Sequence, residues 1–251
     1  MNDAVFFEQV RTTLFGGSLS QPQVDGLNAL LTAWGSGDKQ QLAYVLAGAF
    51  HETGRQMVPV REGFASTDAE ARRIVAGRSY GHPAGPYAQV YYGRGRIQNT
   101  WLPNYQKLTT RFGIDFVQFP DKLLDPATDA TVTVVGHVEG IWTGRKLSDF
   151  IANGKADYVG ARAIVNGSDR AVLIAGYAAQ FEIALTKARY GAASPIAAPA
   201  PPIPAPPLRN PTPPPPPVPA KPIANGAWAE LGRLFLEIIS AVTAYLQRKP
   251  K

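Results

Sequence analysis

Fifteen of the chain's 23 prolines fall between residues 195 and 222, in "PIAAPAPPIPAPPLRNPTPPPPPVPAKP". Proline fixes φ and removes a backbone donor, so such a run favours extended polyproline II and cannot build a packed interior. It reads as a semi-rigid spacer, with a PxxP ligand for a partner domain as the alternative. The run divides the chain into a domain over 1–192, a linker over 193–224 and a C-terminal segment over 225–251. Charge divides the same way. Residues 1–190 hold 19 Lys/Arg against 17 Asp/Glu, a net of +2, whereas residues 191–251 hold 6 against 2, a net of +4. The basic character belongs to the tail, so the main domain lacks the electrostatic footprint of a nucleic-acid binder and no nucleic-acid partner is expected.

The chain contains no cysteine, which excludes disulfides, thiol catalysis and cysteine-ligated metal. Stability must come from packing, for which 45% hydrophobic residues suffice. The opening "MNDAVFFEQVRTTLFGG" has Asp3 and Glu8 where a secretory signal carries Lys or Arg, so a cytoplasmic location until release is the expectation.

The main domain is patterned as helices. "GDKQQLAYVLAGAFHET" puts Leu42, Val45, Leu46, Ala49 and Phe50 on one stripe and predicts a helix ending near Gly54. Thr67 with Glu70 forms a capping-box pattern, and Gly77 suits the matching C-terminus. Asp125 followed by Pro126 predicts another helix start, and "SDRAVLIAGYAAQFEIALTKARYG" a long buried helix ending at Gly191. No βαβ rhythm recurs, so the fold expected is all-α with at most a short β-hairpin. Beyond the linker, Trp228, Leu231, Phe235, Ile238, Val242 and Tyr245 form a heptad-like stripe. Glu230, Arg233 and Glu237 argue against a spanning helix. Residues 228–246 are expected to self-associate or to lie on an anionic membrane surface, with docking onto the main domain as a third reading.

Glu52 and Glu62 lie ten positions apart in "AFHETGRQMVPVREGF". A continuous helix would separate them by about 15 Å along its axis, but Gly54 and Pro59 break it. A returning loop can bring the second carboxylate across a cleft from the first, as an acid and a base working on one glycosidic bond. The helix end, with Phe50, Met57 and Val58 nearby, would favour a proton on Glu52, and Arg61 would keep Glu62 ionised. On spacing alone, two solvated surface glutamates remain the competing reading. A second segment, "YYGRGRIQNTWLPNY", interleaves Tyr91, Tyr92, Trp101 and Tyr105 with Gln98, Asn99, Thr100 and Asn104. Aromatic faces beside amides and hydroxyls suit a saccharide groove, although the same rings could be core packing.

Together "HET" at 51–53, Glu62, "YYGRGRIQNT" at 91–100 and "RAIVNG" at 162–167 resemble glycoside hydrolase family 19, the chitinase family, and especially its bacteriophage endolysin branch. The resemblance covers about residues 3–190. It implies an α-rich, two-lobed, lysozyme-like glycosidase that needs no metal or organic cofactor. Its catalytic residues would be Glu52 as general acid and Glu62 as general base, with Thr100 holding the attacking water. Gln98, Asn104 and Asn166 would contact sugar N-acetyl and hydroxyl groups, and His51 and Tyr92 would lie at the cleft or just behind it. The implied partner is the glycan strand of peptidoglycan, with chitin as the alternative substrate. Arg96 stands where chitinases usually have Pro, and Leu102-Pro103 replaces a more polar pair. A zinc-peptidase reading of "HE" fails because Arg55 occupies the position of the second His of HExxH. His82 is read as a loop residue and His137 as lying on a helix face. A non-catalytic wall-binding module is the reading from a different class.

Overall fold

The computed structural model describes residues 1–191; the expected linker and C-terminal helix lie outside them. The order is α1 (Asp3–Thr13), α2 (Gln21–Trp34), α3 (Lys39–Glu52), β1 (Val60–Arg61), α4 (Asp68–Val75), β2 (Arg94–Gly95), α5 (Leu102–Phe112), α6 (Pro126–Glu139), α7 (Leu147–Phe150), β3 (Ile151–Ala152), β4 (Lys155–Ala156) and α8 (Ala171–Lys187). Short 3-10 turns cover Glu62–Phe64, Pro120–Leu124 and Gly160–Ile164. The domain is helix-rich, as the sequence predicts. It has one strand pair more than expected: β3–β4 is a local hairpin, while β1 pairs antiparallel with the distant β2, Val60 opposite Gly95 and Arg61 opposite Arg94.

Local signals set several helix ends. Asp125 caps α6 by accepting from Thr128 N at 2.8 Å, and Pro126 follows at the first helical position. Thr67 caps α4, accepting from Glu70 N at 3.2 Å. The reciprocal half of that box is displaced by one residue, because the Glu70 carboxylate accepts from Ser66 N and Oγ instead of Thr67 N. The helix closes at Ala76, one residue before the expected Gly77. α8 is likewise shorter than its pattern, starting at Ala171 and stopping at Lys187.

The main core gathers around α3. The stripe residues Leu42, Val45, Leu46, Ala49 and Phe50 are buried, but so are Ala43, Tyr44, Ala47 and Gly48. α3 is therefore enclosed on all sides, more than a one-sided stripe predicts. It packs against α8, with Phe50 meeting Tyr177 and Phe181 edge-on at ring centroids of 4.8 and 5.9 Å. α1 also packs on α8, and α2 on α6. Each fully buried Leu or Phe here contributes roughly 1.5–3 kcal/mol relative to exposure.

A second region has its own apolar clusters. Tyr91, Tyr105, Leu108, Phe116, Leu123 and Val132 form one, and Ala71, Val75, Val90 and Tyr92 another. The β1–β2 pair belongs to this region and carries the chain into Glu62. Glu52 thus grows from the helical core and Glu62 from the smaller lobe.

Candidate active site

Glu52 is the last residue of α3. The helix stops there because Thr53 Oγ1 donates to Ala49 O at 2.7 Å and accepts from Met57 N at 2.9 Å, closing a buried turn. Gly54 continues it at φ +55°, where a Cβ would come within 2.9 Å of the Phe64 ring, so the end of α3 lies against the turn that carries Glu62. Arg55 and Met57 also take positive φ, of 72° and 62°, a conformation non-glycine residues adopt only under outside constraint. Part of that constraint is Arg96, whose Nε donates to Met57 O at 2.6 Å.

The Glu52 side chain is 20% exposed, and its Oε1 accepts from Arg162 Nη1 at 2.7 Å. Arg162 is itself buried and further held by donating its Nε to Asp169 O at 3.0 Å. This corrects the expected environment. Phe50 and Met57 are packed into the core, and the polar group facing the carboxylate is a guanidinium. The "RAIVNG" segment suggests Asn166 as its functional residue, but Arg162 is the one that reaches Glu52. A partner 110 residues away gives no local spacing signal. Asn166 is exposed; its N donates to Arg162 O at 3.0 Å and its Oδ1 accepts from Gly167 N at 2.9 Å. His51 is half-buried, 6.4 Å from the Tyr177 ring between centroids. Burial pushes the His51 imidazole below its usual range; the nearby Glu52 opposes that, and the Arg162 and Arg170 charges add to it.

Glu62 is more fully fixed. Tyr80 OH donates to its Oε1 at 2.6 Å and Gly93 N to its Oε2 at 2.8 Å, while Glu62 N donates to Gly93 O at 2.7 Å. Gly93 gives these groups room: an added Cβ would lie 2.6 Å from Gln98 Oε1 and 3.2 Å from Glu62 Oε2 and would push both side chains aside. The expected partner Arg61 points elsewhere, its Nη2 held by Asp121 Oδ2 at 2.7 Å, while the chain turns into the 3-10 segment that begins at Glu62. The cation near Glu62 is Arg78, at a looser 3.8 Å. Tyr80 was not singled out in the sequence, since a phenol 18 residues on is invisible to motif reading. Burial, then the bond to Glu62, pushes its phenol up to about 12.

Gln98 lies beside Glu62 at φ 54°, donating its Nε2 to Val60 O at 3.1 Å and Gly95 O at 3.0 Å. Both amide hydrogens serve the loop, which leaves Oε1 on the Gly93 side. Thr100 and Asn104 are half-buried neighbours joined by Asn104 Nδ2 donating to Thr100 O at 2.9 Å. Among the described residues the Thr100 hydroxyl has no protein partner. Tyr92 does not line the groove, which corrects its expected sugar contact. It is fully buried, donates its OH to Asp68 at 2.8 Å and stacks on the Arg94 guanidinium, 3.5 Å from its ring centroid. Tyr91 and Tyr105 are also core residues, whereas Trp101 is 46% exposed and meets Tyr80 edge-on at 5.4 Å. The YYGRG segment is thus mostly scaffold: Arg94 Nη1 donates to Val90 O at 3.1 Å and to Tyr105 OH at 3.2 Å, and Nε donates to Asp121 at 2.7 Å.

The two carboxylates are equally sheltered, at 20% and 19% side-chain exposure, but differently held. Glu52 is anchored through one oxygen. Glu62 receives a donor on each oxygen and keeps lone pairs over, since a carboxylate has about four acceptor sites. Among the described residues no cluster of three or more His, Asp or Glu could hold a metal ion. No protein-family model matches the chain, and no curated protein matches it. Among solved structures it is similar to chitinase C from Streptomyces griseus HUT6037, at 22% identity and TM-score 0.43 over 74% of this chain and 75% of that one. A mutant of chitinase C gives 22% identity and TM-score 0.42, over 74% and 91%. A bacterial family 19 chitinase gives 24% identity and TM-score 0.41, over 74% and 93%. TM-scores of this size describe loosely matched backbones.

Proposed function

We propose that the chain is a glycoside hydrolase that cuts the glycan strands of bacterial peptidoglycan by single displacement, as an endolysin. The observation that carries this reading is the pair of sheltered carboxylates before and after the chain reversal, one pinned by Arg162 and the other by Tyr80 and Gly93. Glu52 gives its proton from Oε2, the oxygen Arg162 leaves free, to the departing glycosidic oxygen. Glu62, with its remaining lone pairs, takes a proton from a water that attacks the anomeric carbon on the other face, and Thr100 steadies that water. One proton leaves Glu52 and one arrives at Glu62, so the step balances and inverts the anomeric configuration. Gln98, Asn104, Asn166 and the exposed Trp101 face are the proposed sugar contacts, with His51 as a neutral neighbour of the acid.

Glu52→Gln and Glu62→Gln test the assignment on purified peptidoglycan. An enzyme of this kind loses nearly all turnover in both, while a wall-binding module loses nothing. Mass spectrometry of the released fragments, beside a chitin-oligomer control, identifies the bond. Chitin is the rival substrate because the "YYGRGRIQ" segment resembles that of chitinases; cleavage of chitin oligomers with intact peptidoglycan would establish it.

A further inference from the structure

The smaller lobe has an open pocket of about 520 Å³ lined by Asp68, Gln89, Arg94, Gln118, Phe119 and Lys122, with Asp121 and Pro120 at its side. Neither Glu52 nor Glu62 is in its wall. Arg61 of β1 reaches to Asp121 on the pocket side, while Glu62 is held by the Gly93 amide. We propose that this pocket is a second glycan-binding site, holding N-acetylhexosamine units of the strand against the Phe119 ring. The choice of sugar rests on the glycosidase reading above.

Three features select a neutral polyol. The charges of the lining residues cancel, two cations (Arg94, Lys122) against two anions (Asp68, Asp121). Both carboxylates are already committed, which disfavours a metal ion. Asp68 accepts from Arg72 Nε at 2.6 Å, Tyr92 OH at 2.8 Å and Arg94 Nη2 at 3.3 Å, and Asp121 accepts from Arg94 Nε and Arg61 Nη2, each at 2.7 Å. The arginines hold the carboxylates in place, and with about four acceptor sites each, Asp68 and Asp121 keep capacity for sugar hydroxyls. Finally, Phe119 is 50% exposed beside the Gln118 amide, whose side chain makes no hydrogen bond among the described residues. Lys122 Nζ lies 5.3 Å from the Phe119 centroid and covers one face of the ring, and the other face beside the free Gln118 amide matches the CH face and hydroxyl edge of a pyranose. A strand held here stays on the enzyme between cuts.

The test uses the full chain carrying Glu62→Gln, so that ligand persists, with a soluble β-1,4-linked N-acetylglucosamine tetramer titrated into the 15N-labelled protein. Amide shifts are expected in two sets, one around Gly93, Gln98 and Thr100 and one around Gln89, Gln118, Phe119 and Lys122. Adding Phe119→Ala and Gln118→Ala should abolish the second set and leave the first. Absence of the second set, or its persistence in that variant, overturns the proposal. Absence of the first set instead strikes the assignment of the cleft, so the two failures are distinguishable.

Discussion

Arg96 and Asp129 are both fully buried and meet through Nη1 and Oδ2 at 2.6 Å. Arg96 also donates its backbone N to Asp129 Oδ1 at 3.0 Å, its Nη1 to Pro126 O at 3.2 Å and its Nε to Met57 O at 2.6 Å. Replacing it with Met (Arg96→Met) leaves the backbone donor but strands a buried carboxylate and strips two carbonyls of a partner. Breaking one side of such a pair costs about 3–5 kcal/mol. That is a large part of a total stability on the order of 5–15 kcal/mol. With a urea slope of about 2 kcal/mol/M, the unfolding midpoint at pH 7 should fall by roughly 2 M. Asp129 supplies a second signature. Burial pushes its carboxyl up to about 6 even with Arg96 pulling it down, and removing Arg96 raises it further. A folded-state value above the unfolded one means that the folded state binds more protons in this window, so stability lost on ionisation returns as pH falls. The deficit of Arg96→Met against wild type should therefore shrink between pH 7 and pH 5. In the double variant Arg96→Met/Asp129→Leu most of the pH 7 loss should be recovered, because a packed apolar pair replaces the ions. Equal losses in the single and double variants, or a deficit independent of pH, would refute the account.

Four further outcomes are expected. Burial pushes His137 from 6.5 down to about 4; its contribution is complete above pH 6.5 and lost as pH falls through about 4, costing ~3 kcal/mol. Asp129 titrates with the opposite sign over much of the same window, so the effect is read as the difference between wild type and His137→Gln in denaturant melts, which should grow in the variant's favour as pH falls from 6.5 to 4. Tyr80→Phe removes one of the two donors to the Glu62 carboxylate, so kcat on soluble glycan fragments should drop about tenfold with KM little changed. Asp125→Ala deletes the α6 cap, about 1 kcal/mol, and should lower Tm by about 2–4 °C in calorimetry. Deleting residues 193–251 should leave hydrolysis of purified wall intact and weaken lysis of whole cells; equal lysis would remove the proposed membrane or self-association role of residues 228–246.

What the sequence read correctly was short-range. Asp125 before Pro126 and Thr67 before Glu70 set helix starts because a cap involves backbone groups only two or three residues away. The stop after Glu52 followed from glycine and proline nearby. The place of Tyr92 is not written locally: a tyrosine near polar residues looks the same whether its ring lines a groove or is stacked beneath Arg94, and only the fold decides. Adjacency suggests Arg61 for Glu62, but Asp121, 60 residues on, takes its guanidinium. α3 was read as one-sided because its small residues Ala43, Ala47 and Gly48 carry little hydrophobic signal, yet they are what let other elements close around it.

By itself, then, the chain's order of residues determined an α-rich domain and two glutamates separated by a broken helix. The tertiary structure alone decided which groups face those glutamates: Arg162 for Glu52, and Tyr80 with the Gly93 amide for Glu62. Capping and chain breaking act within a turn and are written locally, whereas an ion pair or buried hydrogen bond forms between residues that only packing brings together.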